Sequence, residues 1–203
     1  MAEVGIIDYG GGNLRSLTRA VESLGYKVQL VSSAADLDGL THLLFPGQGA
    51  YGDCLQKLED RGLVEAALDW IAQDKPFFGI CVGYQLLFSG SEEAPEKPGF
   101  GLLEGRVVKF QSDTLKVPHM GWNALKQIDR SHPLWQGMPE DPYFYFVHSY
   151  YSVEVAPTVA AGTCQYGEDF TACIIRGNLL ATQFHPEKSQ DNGLRLLQNF
   201  LSL

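Results

Sequence analysis

Pro76-Phe77-Phe78-Gly79-Ile80-Cys81-Val82-Gly83-Tyr84-Gln85-Leu86-Leu87-Phe88 decides how the chain is read. Phe77 to Ile80 is an apolar run of strand length, and helical spacing begins after Cys81. Cys81 stands between Gly79 and Gly83. A nucleophile on a sharp strand-to-helix turn needs such neighbours, because they admit the tight backbone and leave the side chain exposed above the sheet. A helix beginning there points free N–H groups at the sulfur and favours thiolate, the reactive form. The competing reading is an inert cysteine in a core strand, the usual fate of free cysteine. The two glycines weigh against it, since a core strand has no need of them.

Upstream of this stretch, Val4 to Asp8 reads as a first strand. Gly10-Gly11-Gly12 follows, then Asn13 as a helix cap, with Leu14, Leu17, Val21 and Leu24 at helical spacing and Gly25 as the stop. Lys27 to Val31 reads as a second strand, and this β-α-β opening implies a parallel sheet covered by helices. The glycine run lacks GxGxxG spacing, so a structural turn or a contact surface is the better reading than a nucleotide loop. A third strand, Leu43 to Phe45, leads into Pro46-Gly47-Gln48-Gly49. Glycines at a strand's carboxyl end let backbone approach a ligand, and ligands of open α/β sheets bind at that edge. An ordinary Pro-Gly turn is the alternative. Helical pattern over Leu55 to Ile71 is broken at Arg61-Gly62.

Downstream, Ser89 to Gly101 reads as a polar surface loop. Arg106 to Phe110, Tyr143 to Val147, Tyr151 to Val155, Val159 to Tyr166, Phe170 to Ile175 and Leu179 to Phe184 read as strands, with a hairpin turn at Arg176-Gly177-Asn178. Pro118 to Asn123 shows no clear periodicity, and Asn192 to Leu203 reads as a closing helix. The expected fold is α/β, a mostly parallel central sheet flanked by helices with additional antiparallel strands in the C-terminal half. No linker or repeat interrupts the chain, and residues 1–203 read as one domain.

Phe184-His185-Pro186-Glu187 ends the last expected strand. Residues i and i+2 of an extended segment project to one side, and Pro186 fixes the backbone between His185 and Glu187. A carboxylate so placed holds an imidazole in one tautomer and supports its charged form. With Cys81 this makes a nucleophile, a base and an orienting group. The other histidines are poorer bases: His42 precedes an apolar strand, His132 sits before a proline, His119 lies in the irregular segment, and His148 has no carboxylate close behind it.

Composition narrows the function. The chain has 203 residues, 45% of them hydrophobic, and a formal net charge of -9, so nucleic acid and anionic membrane surfaces are poor partners. Its four cysteines, Cys54, Cys81, Cys164 and Cys173, form no CxxC pair for zinc. The start, Met1-Ala2-Glu3-Val4, carries no leader pattern, and no run nears the ~20 apolar residues that span a bilayer. A reducing cytoplasm with free thiols is expected, with no metal and no cofactor.

Taken together, the Gly79 to Leu87 stretch and His185-Pro186-Glu187 resemble the class I glutamine amidotransferases. Asp8-Tyr9-Gly-Gly-Gly-Asn13-Leu, Pro46 to Gly49, Pro118-His119-Met120-Gly121-Trp122-Asn123, Phe146-Val147-His148-Ser149-Tyr150 and Gln183-Phe184-His185-Pro186-Glu187-Lys188-Ser189 narrow the resemblance to the glutaminase subunits of imidazole glycerol phosphate synthases. The resemblance runs the length of the chain, in order. It implies hydrolysis of L-glutamine to glutamate and ammonia through a cysteine thioester. The ammonia passes to a (β/α)8 cyclase subunit in a heterodimer, for histidine biosynthesis. It further implies Cys81, His185 and Glu187 as the triad; Val82 with Gly47, Gln48 and Gly49 as the oxyanion hole; and Gln85, Glu93, His148, Ser149 and Tyr150 as the glutamine site. Asn13, Trp122 and Lys188 are implied to face the cyclase. Gln48 departs from the valine common in such loops, a change that backbone donors tolerate. The alternatives are the glutaminase of another synthase, of pyridoxal phosphate type, a stand-alone γ-glutamyl thiol hydrolase, and a non-catalytic binding module on the same fold.

Overall fold

The computed structural model describes residues 2–11, 13–111 and 114–203. Gly12, the last of the glycine run, and Met1 lie outside them. β1 (Val4–Ile7) leads to α1 (Leu14–Ser23), which Asn13 caps by accepting the Ser16 N–H at 3.4 Å. β2 (Val28–Val31), β3 (His42–Gly47), α2 (Tyr51–Asp60) and α3 (Leu63–Ala72) follow, with Gly62 at φ 63 separating the two helices. Then come β4 (Phe77–Cys81) and α4 (Val82–Gln85). The C-terminal half holds β5 (Arg106–Lys109), β6 (His119–Ala124), β7 (Lys126–Gln127), β8 (Tyr143–His148), β9 (Tyr150–Val153), β10 (Ala160–Tyr166), β11 (Glu168–Arg176), β12 (Leu179–Thr182) and α5 (Gln190–Phe200).

Eight strands form the central sheet in the order β2-β1-β3-β4-β12-β11-β10-β7. The β2, β1, β3, β4 and β12 neighbours pair in parallel, while β11, β10 and β7 continue antiparallel. Two further ribbons, β5–β9 and β6–β8, complete the antiparallel part of the α/β fold. From β1 the chain steps one way to β2, and from β3 the other way to β4. Right-handed crossovers therefore put α1 and the α2–α3 pair on opposite faces. α5 touches α1, and α2 touches α3. One buried cluster runs through these layers, with Phe45, Phe77, Phe78, Phe184 and Phe200 fully enclosed.

This order explains why residues distant in sequence converge. β4 has β3 on one side, in register Gly47↔Cys81, and β12 on the other, in register Thr182↔Ile80. The carboxyl ends of three adjacent parallel strands therefore deliver the Pro46–Gly49 loop, Cys81 and the segment leading to His185 to one edge.

Three local expectations change. The segment expected to be irregular is strand β6, paired with β8 from His119↔His148 to Ala124↔Tyr143. Its pattern was hidden because it is inverted: Met120 and Trp122 face outward, 58% and 46% exposed, while His119 is buried. The helix after Cys81 is a single turn. Phe100 N–H takes the Leu86 carbonyl at 2.7 Å and Leu102 N–H takes that of Leu87 at 2.9 Å, so these acceptors serve the 89–101 loop instead of further helix. The thiolate argument therefore reduces to the first N–H groups of one turn, without a long macrodipole behind them. Finally, β12 stops at Thr182, and Pro186–Lys188 is a 3-10 turn rather than extended chain.

Candidate active site

Cys81 sits at φ 56, ψ −108, on the corner between β4 and α4. A non-glycine residue there is strained, and the surrounding backbone must hold it. Glycine makes that possible through contact rather than flexibility. A Cβ on Gly47 would fall 2.5 Å from the Gly83 nitrogen, one on Gly79 would fall 2.7 Å from the Gly83 oxygen, and one on Gly83 would overlap the Phe45 carbonyl. β3, β4 and α4 thus touch backbone to backbone around the sulfur. Cys81 opens onto a cavity of about 430 Å³ whose lining includes Gln48, Gly49, Val82, Gln85, Glu93 and His185. Burial pushes the Cys54 and Cys164 thiols up to about 12 and raises that of Cys173 as well, which keeps these three protonated.

His185 follows β12, extended at φ −102, ψ 99, and its backbone N–H bonds the Tyr145 carbonyl at 3.0 Å. Its Nδ1 lies 2.8 Å from Glu187 Oε1, with both side chains buried. The sequence argument expected this pairing from alternation along a strand. The turn at Pro186 achieves it instead, folding Glu187 back onto the ring. Burial alone would lower the imidazole pKa. The Cys81 sulfur and the Glu187 carboxylate both favour the charged ring and outweigh burial, raising it to about 10.

The loop after β3 is held by a residue that sequence reasoning passed over. Gln48 N–H donates to the Tyr9 hydroxyl at 3.0 Å, and that hydroxyl donates to the Gln48 carbonyl at 3.3 Å. Gln48 N–H, expected as an oxyanion donor, is therefore engaged with Tyr9 in this state. Val82 begins α4, so its N–H has no acceptor within the helix. Gly47 lies at the end of β3 beside Cys81, and Gly49 continues the loop at φ 94. Tyr9 was findable: it follows β1, which neighbours β3, so it stands at the same sheet edge.

The expected glutamine-site residues also converge. Gln85, Glu93, His148, Ser149 and Tyr150 all line the cavity. Glu93 Oε2 accepts the Tyr51 N–H at 3.1 Å, at the start of α2. Gln85 Nε2 donates to the Tyr150 carbonyl at 3.1 Å and to Gln183 Oε1 at 3.0 Å, leaving its own carbonyl oxygen for a ligand. His148 is buried with its ring turned inward against His119, Nε2 to Nδ1 at 2.9 Å.

The expected partner-facing residues form one pair and one outlier. Trp122 meets the Tyr145 ring edge-on with centroids 6.2 Å apart, and Lys188 Nζ lies over that same ring, 6.0 Å from its centroid. Asn13 is the cap of α1. Among the described residues no group of three or more His, Cys, Asp or Glu is placed to hold a metal ion, and no helix is long and apolar enough to cross a membrane.

Comparison with known proteins gives the family of the chain. The family described as glutamine amidotransferase class-I matches residues 5–203. A relative from Aromatoleum aromaticum, named imidazole glycerol phosphate synthase subunit HisH, is 45% identical, covering 100% of this chain and 99% of the relative. One of the same name from Syntrophotalea carbinolica is 46% identical over 96% of this chain and 97% of the relative. Among solved structures, PurLQS from Thermotoga maritima superposes with a TM-score of 0.79 at 19% identity, covering 100% of this chain and 99% of that one, a likeness of fold.

Proposed function

The chain belongs to the class-I glutamine amidotransferases, among the imidazole glycerol phosphate synthase HisH subunits, and from that premise we propose how its residues work. It hydrolyses L-glutamine and supplies ammonia for histidine biosynthesis, with residues 1–203 acting as one domain. The Cys81 thiolate attacks the side-chain amide carbon. Negative charge develops on the amide oxygen, where Val82 N–H and the Gly47–Gly49 loop supply donors. Each such donor is typically worth on the order of 3 kcal/mol to the transition state. Ammonia leaves only if protonated on departure, so His185, charged beside Glu187, gives its proton to the leaving nitrogen. Neutral His185 then takes a proton from water, which attacks the thioester carbonyl. The C–S bond breaks, and glutamate and the thiolate are released.

What carries this reading is the cavity that Cys81, strained at φ 56, shares with a histidine bonded to a buried carboxylate at 2.8 Å. Glutamine binds with its α-amino and α-carboxylate groups toward Gln85, Glu93 and the His148–Tyr150 strand ends.

The partner is a (β/α)8 cyclase subunit in a heterodimer, and the lyase step belongs to that subunit. Met120 and Trp122 on the exposed side of β6, with Lys188 and Asn13, face it. Ammonia released into water at neutral pH is protonated and no longer nucleophilic, which favours direct transfer into a partner. Four unpaired thiols go with a cytoplasmic location. The test is the glutaminase rate of the purified chain with and without the cyclase and its ribonucleotide substrate, alongside Cys81→Ala. The variant is expected to lose glutaminase activity, while its complex still uses ammonium salts. A folded Cys81→Ala complex that keeps glutaminase activity would sink the assignment.

A further inference from the structure

Gln183 plays no part in the triad, yet it is fully buried two residues before His185, with its Nε2 3.8 Å from the Cys81 sulfur. We propose that Gln183 is a further catalytic residue, whose carboxamide N–H donates to Cys81 and stabilises the thiolate. The inference rests on Cys81 being the nucleophile.

The direction of the Gln183 amide matters, because its oxygen facing the sulfur would repel the thiolate. The surrounding bonds leave one arrangement. The Tyr150 carbonyl is only an acceptor, so the Gln85 group 3.1 Å from it is the NH₂. That NH₂ also faces Gln183 at 3.0 Å, so the facing Gln183 atom is its oxygen. The Gln183 NH₂ is then the end left for Cys81.

A second chain of bonds anchors the same carbonyl. His148 Nδ1 must donate to Tyr150 O at 2.8 Å, which leaves its Nε2 an acceptor for His119 Nδ1–H at 2.9 Å. His119 Nε2 then accepts from Asn123 Nδ2 at 3.3 Å. The Asn123 amide is fixed from its own side, since its oxygen takes the Ala124 N–H and its NH₂ reaches the Gln165 carbonyl. Worked from either end, the protons fall in the same places. Both rings must be neutral, and burial agrees: it lowers the His119 pKa to about 4 and, outweighing the bond to the Tyr150 carbonyl, that of His148 to about 3. The result is a buried donor with no freedom to turn away from the sulfur. A hydrogen bond to the charged form of an acid lowers its pKa.

The experiment measures the pH dependence of Cys81 alkylation by iodoacetamide in the full chain, wild type against Gln183→Met, which keeps the length and loses the N–H. The midpoint is expected to rise by about one pH unit in the variant. In the complex with the cyclase, glutaminase kcat is expected to fall ~10-fold with KM for glutamine changed less than ~threefold, and ammonia-dependent synthesis unchanged. A role confined to packing would lower the melting temperature without moving the midpoint, and that result overturns the proposal. If Gln183→Met does not fold, the wild-type chain still decides: the Gln183 side-chain amide resonances must titrate with the Cys81 midpoint, and an amide indifferent to it overturns the proposal. Wild-type protein whose activity survives Cys81 alkylation would instead refute the nucleophile assignment beneath it.

Discussion

β3 and β4 meet the site through glycine, with Gly47, Gly79 and Gly83 letting backbone rest on backbone beneath Cys81. β12 and the β6–β8 ribbon meet it through long polar side chains, His185, Gln183, His148 and His119, each tied to a named partner. The first region provides shape and N–H groups that any side chain would obstruct. The second provides protons whose positions depend on which atom donates. The difference teaches that damage should take two forms, steric in the parallel region and protonic in the other.

The largest effect breaks the steric side. Gly83→Ala would push a methyl into the Phe45 carbonyl and against its ring, and the nearest contact is backbone with no flexible end to move. We expect a loss of about 3 kcal/mol or more, read as a melting temperature lower by roughly 6–12 °C. An unchanged melting temperature would mean that β3 and α4 are not held by direct backbone contact.

On the protonic side, Glu187→Gln keeps the shape and removes the charge that orients His185. Glutaminase activity of the complex should fall about 100-fold, and the melting temperature should fall as well, because the buried imidazolium loses its counter-charge. An equal fall in ammonia-dependent synthesis would place the damage outside the triad.

The same contrast decides what the sequence made legible. Cys81 between two glycines and His185 two residues from Glu187 are local patterns, and one stretch of chain is enough to read each. Parallel strands β1, β3 and β4 declared themselves by apolar runs because they are buried on both faces. β6 did not, because its outward residues are Met120 and Trp122 and its inward ones include a histidine, the reverse of the usual alternation. The His119–His148 bond, the Tyr9 clamp and the Gln183 contact each join residues 29 or more apart in sequence, and no local pattern encodes which nitrogen faces which.

The histidine pair gives the next prediction. In the folded chain His119 and His148 titrate at about 4 and about 3, below the ordinary value of 6.5. Between those values the unfolded chain binds more protons. The pair's contribution is therefore full above about pH 6.5 and is lost as pH falls toward 4. His185 behaves oppositely: raised to about 10, it contributes below 6.5 and loses that contribution as pH climbs through 10. Each buried neutral ring adds up to about 1.4 kcal/mol of stability per pH unit over its window. His119→Phe places a ring between Phe146 and Tyr166, where His119 already stacks, and removes one titrating group. Denaturant melts between pH 6 and 4 should show a shallower slope in this variant; a slope equal to wild type would mean the histidines are not held neutral.

The smallest expected effect lies where the two regions touch, at Tyr9 and Gln48. The clamp engages a backbone donor of the proposed oxyanion loop with a phenol, so that N–H is not free in this state. Tyr9→Phe removes the hydroxyl and leaves the ring packed edge-on against Phe45. The cost in stability should be about 1 kcal/mol, the net worth of an ordinary hydrogen bond. Gln48 N–H, left without its acceptor, then gains by turning toward the open cavity. Basal glutaminase activity of the isolated chain should rise ~3- to 10-fold, the range that about 1 kcal/mol of released bias permits. The partnered complex should change little, because on the proposed reading the partner sets this loop and the clamp no longer matters. A Tyr9→Phe chain whose basal rate falls would show the hydroxyl holding the loop in its working position, and the resting-state reading of the clamp would have to be reversed.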